Sequence, residues 1–184
     1  MRPRPARVDG TSGYRAYAVH REASMYCKAR IAGHPIHPML VSVPIGLFVA
    51  AFGALVAYAV TGDAFYARAA RIADGAGVIM ALASAIPGAI DLATLERGSK
   101  ARATGTTHAL LGLVMLLAYA GAGIVLWRDG GVVLPLALAS VGMAALVGAA
   151  AHGFALVQTH KIGVRPTHLR SVPALRTKDS IRTA

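Results

Sequence analysis

Hydrophobic and polar positions along this chain separate into four long apolar blocks divided by short charged segments. The first block runs from Pro38 to Val60 without one charged side chain. At 1.5 Å of rise per residue it makes roughly 35 Å of helix, enough to cross the hydrocarbon core of a bilayer. Three further blocks, 72–90, 107–127 and 132–157, have the length and apolarity to do the same. The block 72–90 has the weakest hydropathy signal, because Asp74 falls in its first turn and Asp91 directly after it. Parity supports it: without this span, the basic segments before and after the bundle would lie on opposite sides of the membrane. The expected fold class is an all-α membrane protein, an antiparallel bundle of four transmembrane helices. Residues 1–32 read as a basic, disordered N-terminal arm, 33–160 as the membrane domain and 161–184 as a basic tail.

Composition strengthens this reading. Of 184 residues, 55% are hydrophobic and 15% charged, with a mean hydropathy of +0.55. No stretch outside the four blocks could hold a separate soluble core. Charge then gives an orientation. The N-terminal arm carries seven basic residues, the segment between the second and third spans three and the tail six, together 16 of the 19 Lys and Arg. Only Arg68, Arg71 and Arg128 lie on the other side. Basic residues gather in cytoplasmic loops, so both termini are expected to be cytoplasmic. The net charge of +11 invites a nucleic-acid reading, but the cations are spread over arms and loops with no interleaved aromatics, and no nucleic-acid partner is expected. Anionic lipid headgroups are the natural counter-charge, each basic residue near such a surface contributing about 1 kcal/mol.

Cys27 is the only cysteine, so no internal disulfide or thiolate metal site can form. The first two dozen residues lack the apolar core of a signal peptide, and Met25 is a candidate initiator. Small residues supply the packing signal, since lipid offers helices no hydrophobic reason to associate. Gly46, Ala50, Gly53 and Ala57 mark a stripe on the first helix. Gly121 and Gly123 do so on the third, and Gly142, Ala145, Gly148 and Ala149 on the fourth. Pro44 and Pro87 are expected to kink the first and second helices near the cytoplasmic side. The short segment from Arg128 to Gly131 predicts a hairpin between the last two helices, and no internal repeat stands out.

Candidate chemistry gathers at one face. Pro38 can open the first helix with His34 and His37 just before it. Asp91 ends the second span, His108 begins the third and His152 lies about 20 residues into the fourth, roughly 30 Å from its outer end. All five belong near the cytoplasmic interface, and His160 and His168 could approach the same layer. Imidazole is the commonest metal ligand and carboxylate a frequent companion. The layer therefore has the composition of a haem b or transition-metal site. Candidate cofactor ligands are His34, His37, His108 and His152, and candidate metal ligands are His34, His37, Asp91 and His108. The favoured pair is His34 or His37 against His108, with His152 as the alternate. The competing reading has each histidine capping a helix or bonding a headgroup. Asp91 would partner an imidazole or Arg97, and Asp74 would pair with Arg71. Thr106 and Thr107 are expected to cap the third helix, and Trp127, Tyr58 and Tyr66 to form an interfacial belt. No nucleophile elbow, carboxylate pair or phosphate-binding loop indicates an enzyme.

The run Gly33-His34-Pro35-Ile36-His37-Pro38-Met39-Leu40-Val41-Ser42-Val43-Pro44-Ile45-Gly46-Leu47-Phe48 resembles the opening of a bacterial membrane family catalogued as domain of unknown function 2231. Further resemblance lies in Asp91 after Pro87-Gly88, in His108, and in Leu156-Val157 followed by His160-Lys161-Ile162-Gly163-Val164. It covers about residues 30–166. The chain departs from the family pattern at Ser42, where another histidine is common, and at His152-Gly153, where paired glycines are common. The resemblance implies a four-helix domain of the bacterial inner membrane and a redox setting, related domains occurring beside Rieske-type modules. The leading expectation is a non-enzymatic haem b- or metal-binding protein that exchanges electrons with a redox partner protein, Asp91 orienting one of its ligands. The alternatives are a small transporter or channel gated by the same polar layer, and an assembly subunit or homo-oligomer joined through small-residue faces.

Overall fold

The structure, a computed structural model, describes residues 28–32 and 34–164. Cys27, Met25 and His20 lie outside the described residues, as does the part of the tail from 165 to 184 with His168. Four helices follow one another: α1 Ile36–Thr61, α2 Ala64–Thr94, α3 Lys100–Trp127 and α4 Val133–Gln158. All four are long and apolar enough to cross a membrane. They run alternately up and down, which puts both described chain ends at one end of the bundle. Before α1, β1 (Arg30–Ile31) pairs antiparallel with β2 (His34–Pro35), so the segment 28–32 assigned to the arm folds back onto the domain.

The helices begin earlier than the hydrophobic blocks suggest. α1 starts at Ile36, where the backbone N–H bonds the carbonyl of Ala29 at 3.0 Å. His37 therefore lies inside the first turn and Pro38 is the third helical residue, a position whose N–H has no intrahelical partner to lose. α2 has 31 residues, about 46 Å by helical rise. It is started by Asp63, whose carboxylate accepts the Phe65 N–H at 2.8 Å, after a turn in which Gly62 takes a φ of 70° that favours glycine. α3 is started by Ser99, whose hydroxyl accepts the Arg102 N–H at 3.1 Å. That corrects the reading of Thr106 and Thr107 as caps: they lie two turns inside, each hydroxyl returned to the carbonyl four residues back, where such bonding spends a side-chain donor within the helix. The helix continues past the apolar block because a cap, not the last apolar residue, ends the sequence of helical hydrogen bonds.

α1 packs mainly on α2, and α3 mainly on α4. These two hairpins are equivalent, which corrects the expectation that the chain lacks an internal repeat. A displacement of 71 residues carries the buried Phe48, Ala51 and Leu55 of α1 onto the buried Tyr119, Ala122 and Leu126 of α3. A displacement of 65 carries Ala70, Asp74, Gly77, Ala81 and Ser84 of α2 onto Pro135, Ala139, Gly142, Leu146 and Ala149 of α4, all ten buried. In each hairpin one aromatic ring lies on one glycine: Phe48 against Gly77 and Tyr119 against Gly142. The two rings stack on each other with centroids 4.1 Å apart and planes 19° apart, so a pseudo-two-fold axis along the bundle passes between them. α1 and α3 run in the same direction, as in repeats related by an axis along the membrane normal.

The small-residue stripe expected on α1 does not make these contacts. Gly46, Ala50 and Gly53 are exposed, and no neighbour lies within 4 Å of a β-carbon placed on either glycine. Pro44, Phe48, Ala51 and Leu55 form the packed face instead. A large ring seated on a partner glycine achieves the same backbone approach as two small residues facing each other, and sequence composition favours neither. On α4 the expected residues are used: Gly142, Ala145 and Ala149 are buried and Gly148 lies against Leu111. Pro44 and Pro87 are carried inside unbroken helices, both buried at helix contacts.

This packing separates glycines that matter from those that do not. A β-carbon on Gly142 would come within 2.7 Å of the Tyr119 ring, which is fully buried and cannot retreat. Gly142→Ala should therefore destabilise the detergent-solubilised protein by about 1–3 kcal/mol, whereas Gly46→Ala should leave it unchanged or slightly more stable; thermal unfolding followed by circular dichroism compares the two.

Candidate functional site

The axis that passes between the aromatic rings also passes between two histidines, at the end of the bundle where the chain enters and leaves. His37 on α1 and His108 on α3 are related by the same 71-residue displacement. Their ring centroids are 5.9 Å apart, with planes at 83°. Each ring is held in the same way. His37 Nδ1 bonds the carbonyl of Ser84 on α2, and His108 Nδ1 the carbonyl of Ala149 on α4, both at 2.8 Å. A carbonyl can only accept, so Nδ1 carries the hydrogen and is the donor in both. In a neutral imidazole this leaves Nε2 as the lone-pair nitrogen. Neither Nε2 has a hydrogen-bond partner among the described residues.

One turn beyond each accepting carbonyl lies a glycine against the same ring. A β-carbon would fall 2.8 Å from the His37 ring at Gly88 and 3.2 Å from the His108 ring at Gly153. The two imidazoles are thus gripped from outside by carbonyl and glycine, and meet each other at the axis. Both rings are half-buried.

The remaining candidates do not join them. His34 is exposed in β2, with Nδ1 3.1 Å from the Ala32 carbonyl. His152 uses Nδ1 on the Gly148 carbonyl of its own helix at 2.9 Å. It occupies the α4 position equivalent to Pro87, close enough to His108 for the two rings to interact electrostatically. His160 Nε2 meets the Thr104 hydroxyl at 3.1 Å. Asp91 partners neither an imidazole nor Arg97: its Oδ1 accepts the Ala29 N–H at 3.1 Å and so anchors the segment before α1. Among the described residues, no three His, Cys, Asp or Glu side chains come close enough to form a metal cluster. The expected set His34, His37, Asp91 and His108 is therefore not assembled, and its part that comes together is His37 with His108.

At the opposite end, the expected Asp74–Arg71 pair is replaced. Arg71 bonds the Asp129 carboxylate and, at 3.1 Å, the Leu126 carbonyl. Its guanidinium lies 5.7 Å from the centre of the Trp127 ring. Arg71 thus reaches to the turn after α3, while Asp74, one helical turn further in, faces Gly123. Trp127 is exposed, and Tyr58 and Tyr66 half-buried, at this same end, in keeping with an aromatic belt at one interface.

Sequence reasoning missed Ser84, Gly88, Ala149 and Gly153. A signal for the glycines exists in the repeat: once α1 is laid on α3 through His37 and His108, the pairs Gly77/Gly142 and Gly88/Gly153 recur at a second spacing. The change from 71 to 65 at the hairpin turn hides it from any comparison at one fixed period.

Two equivalent helical hairpins, each spanning the membrane twice and meeting across an imidazole pair, define a four-span helical membrane protein. The family model described as "Predicted membrane protein (DUF2231)" matches residues 33–166. The chain belongs to that family. No curated protein and no solved structure matches it.

Because the two rings share one axis, their contributions should be coupled. His37→Ala and His108→Ala should each destabilise the fold by about 0.5–1.5 kcal/mol for the lost hydrogen bond. The double variant should depart from additivity by about 0.5 kcal/mol or more, measured as a double-mutant cycle by unfolding in detergent.

Proposed function

We propose that this membrane protein binds a transition metal between Nε2 of His37 and Nε2 of His108, as haem b iron or as a bare ion, and exchanges electrons there with a partner protein. The observation that carries this reading is the pinning of both Nδ1–H groups to backbone carbonyls. A metal-ligating histidine characteristically donates its second nitrogen in this way, which sets the tautomer and aims the lone pair. Separation adds support. Two imidazoles on one metal, at about 2 Å per bond, hold their ring centres roughly 6 Å apart, close to the 5.9 Å between these rings. A bare ion would be held by two imidazoles, leaving further coordination positions for water or a partner's ligand. Haem would require the two hairpins to part at the axis between His37 and His108.

The same reading assigns the protein to the bacterial inner membrane with both termini in the cytoplasm. Support comes from the 16 of 19 basic residues on the side of the chain ends and the bias of such residues toward cytoplasmic loops. Anionic headgroups would then face the histidine end.

Full-length protein purified in mild detergent from cells supplied with iron, copper, zinc and haem precursor should carry either a Soret absorbance band or close to one metal ion per chain. His37→Ala and His108→Ala should each lose it, while His34→Ala and His152→Ala should retain it. A colourless, metal-free preparation would refute the reading and leave the two histidines as structural pins.

A further inference from the structure

The repeat also shows where the two halves differ. Asp74 on α2 is 4% exposed, the only buried charged side chain among the described residues. Its equivalent on α4 is Ala139, also buried. Asp74 faces Gly123 on α3, where even a β-carbon would collide with its Oδ2. The equivalent of Gly123 on α1 is Phe52, packed against the core. Of the two equivalent seams between the hairpins, α1 with α4 thus has Phe and Ala at this place, and α2 with α3 has Asp and Gly. The architecture tolerates hydrocarbon here, so the carboxyl is not demanded by the fold, and the room made by the smaller residue is the room that the carboxyl occupies.

Among the described residues no cation pairs with Asp74. Its Oδ1 is buried without a hydrogen-bond partner. On its own helix, Arg68 is exposed and Arg71 is spent on Asp129 and the Leu126 carbonyl. From α3, Tyr119 is close enough to interact electrostatically, but its hydroxyl donates to the Phe48 carbonyl at 3.1 Å. Arg128 is exposed at the turn after α3. α1 and α4 carry no acidic, Lys or Arg side chain at all. A carboxylate in such surroundings is strongly unfavourable unless a proton or a bound cation neutralises it, and ionisable groups inside a bundle commonly serve as proton relays. Access exists: a groove of about 480 Å³ runs from Asp74 past Gly75, Gly123 and Trp127 to Arg128.

We propose that Asp74 is a proton-binding site within the membrane, loaded and unloaded through the groove between α2 and α3. The site is independent of the histidine pair and stands whether or not that pair holds a metal.

Dicyclohexylcarbodiimide tests this, because it partitions into apolar surroundings and adds to the protonated form of a carboxyl, ending as an N-acylurea one reagent mass heavier. Full-length protein in phosphatidylcholine–phosphatidylglycerol liposomes is treated with the reagent between about pH 5 and about pH 9 and mapped by peptide mass spectrometry. Asp74 should be modified in preference to the exposed Asp63, Asp129 and Glu96. Its labelling should fall roughly tenfold per pH unit once ionisation sets in. Asp74→Asn, which keeps the shape of the side chain, should lose that labelling. It should also lose the carboxylic-acid C=O band from the infrared spectrum, with any metal or haem content unchanged. A wild-type protein that shows neither Asp74 labelling nor that band across the range carries a permanently ionised Asp74, which would overturn the proposal.

Discussion

The structure depends on close approach between helices in a solvent that gives them no reason to associate. Lipid tails are as apolar as leucine, so contact must come from dispersion across well-fitted surfaces and from polar bonds between helices. This bundle meets the requirement with a ring on a glycine. Phe48 on Gly77, Tyr119 on Gly142, His37 on Gly88 and His108 on Gly153 are four instances of one device. The histidines add to it a hydrogen bond across the helix pair, to a carbonyl one turn from the glycine. Within each hairpin these contacts lock two helices together. Between hairpins, the same four rings meet in two pairs on the axis, so the residues that build each half also join the halves.

Symmetry gives the two ends of the bundle different chemical characters. On the axis every group is met by its equivalent, and like faces like: imidazole against imidazole at one end, aromatic against aromatic toward the middle. An axial pair of identical ligands suits a single central guest, the physical basis of the proposed metal site. Away from the axis the halves are free to diverge. Asp74 with Gly123 at the seam of α2 and α3 stands where the equivalent seam of α1 and α4 has Phe52 with Ala139, and a polar group enters the apolar interior without any change in helix packing. Redox chemistry at one end and protonation toward the other are thus separate proposals, resting on opposite properties of the repeat.

Much of the architecture was legible before the fold was known. An uncharged run of more than twenty residues such as Pro38–Val60 has few alternatives to a membrane helix, because every backbone polar group must be satisfied internally in lipid. The site was legible only in outline. The sequence named five groups for one face, and His37 and His108 do meet, while Asp91 is drawn to the Ala29 N–H and His34 remains exposed in β2. Hydropathy reports the depth of a residue, not the direction in which it points around its helix. For the same reason the stripe Gly46, Ala50, Gly53 and Ala57 read as a packing face, and its first three residues proved to be exposed, with Ala57 half-buried. These helices are apolar on nearly every side, so no polar face marks the outside.

By itself, the sequence determined the number of crossings, the antiparallel order and the end of the bundle at which His37, His108 and His152 lie, because transfer of backbone and charge into hydrocarbon is costly enough to decide them locally. The tertiary structure alone decided the rotation of each helix about its axis, and with it the pairing of His37 with His108, the turn of Arg71 toward Asp129 and the isolation of Asp74. Those choices rest on steric fit between surfaces of nearly equal apolarity, a property of two helices at once that neither segment carries alone.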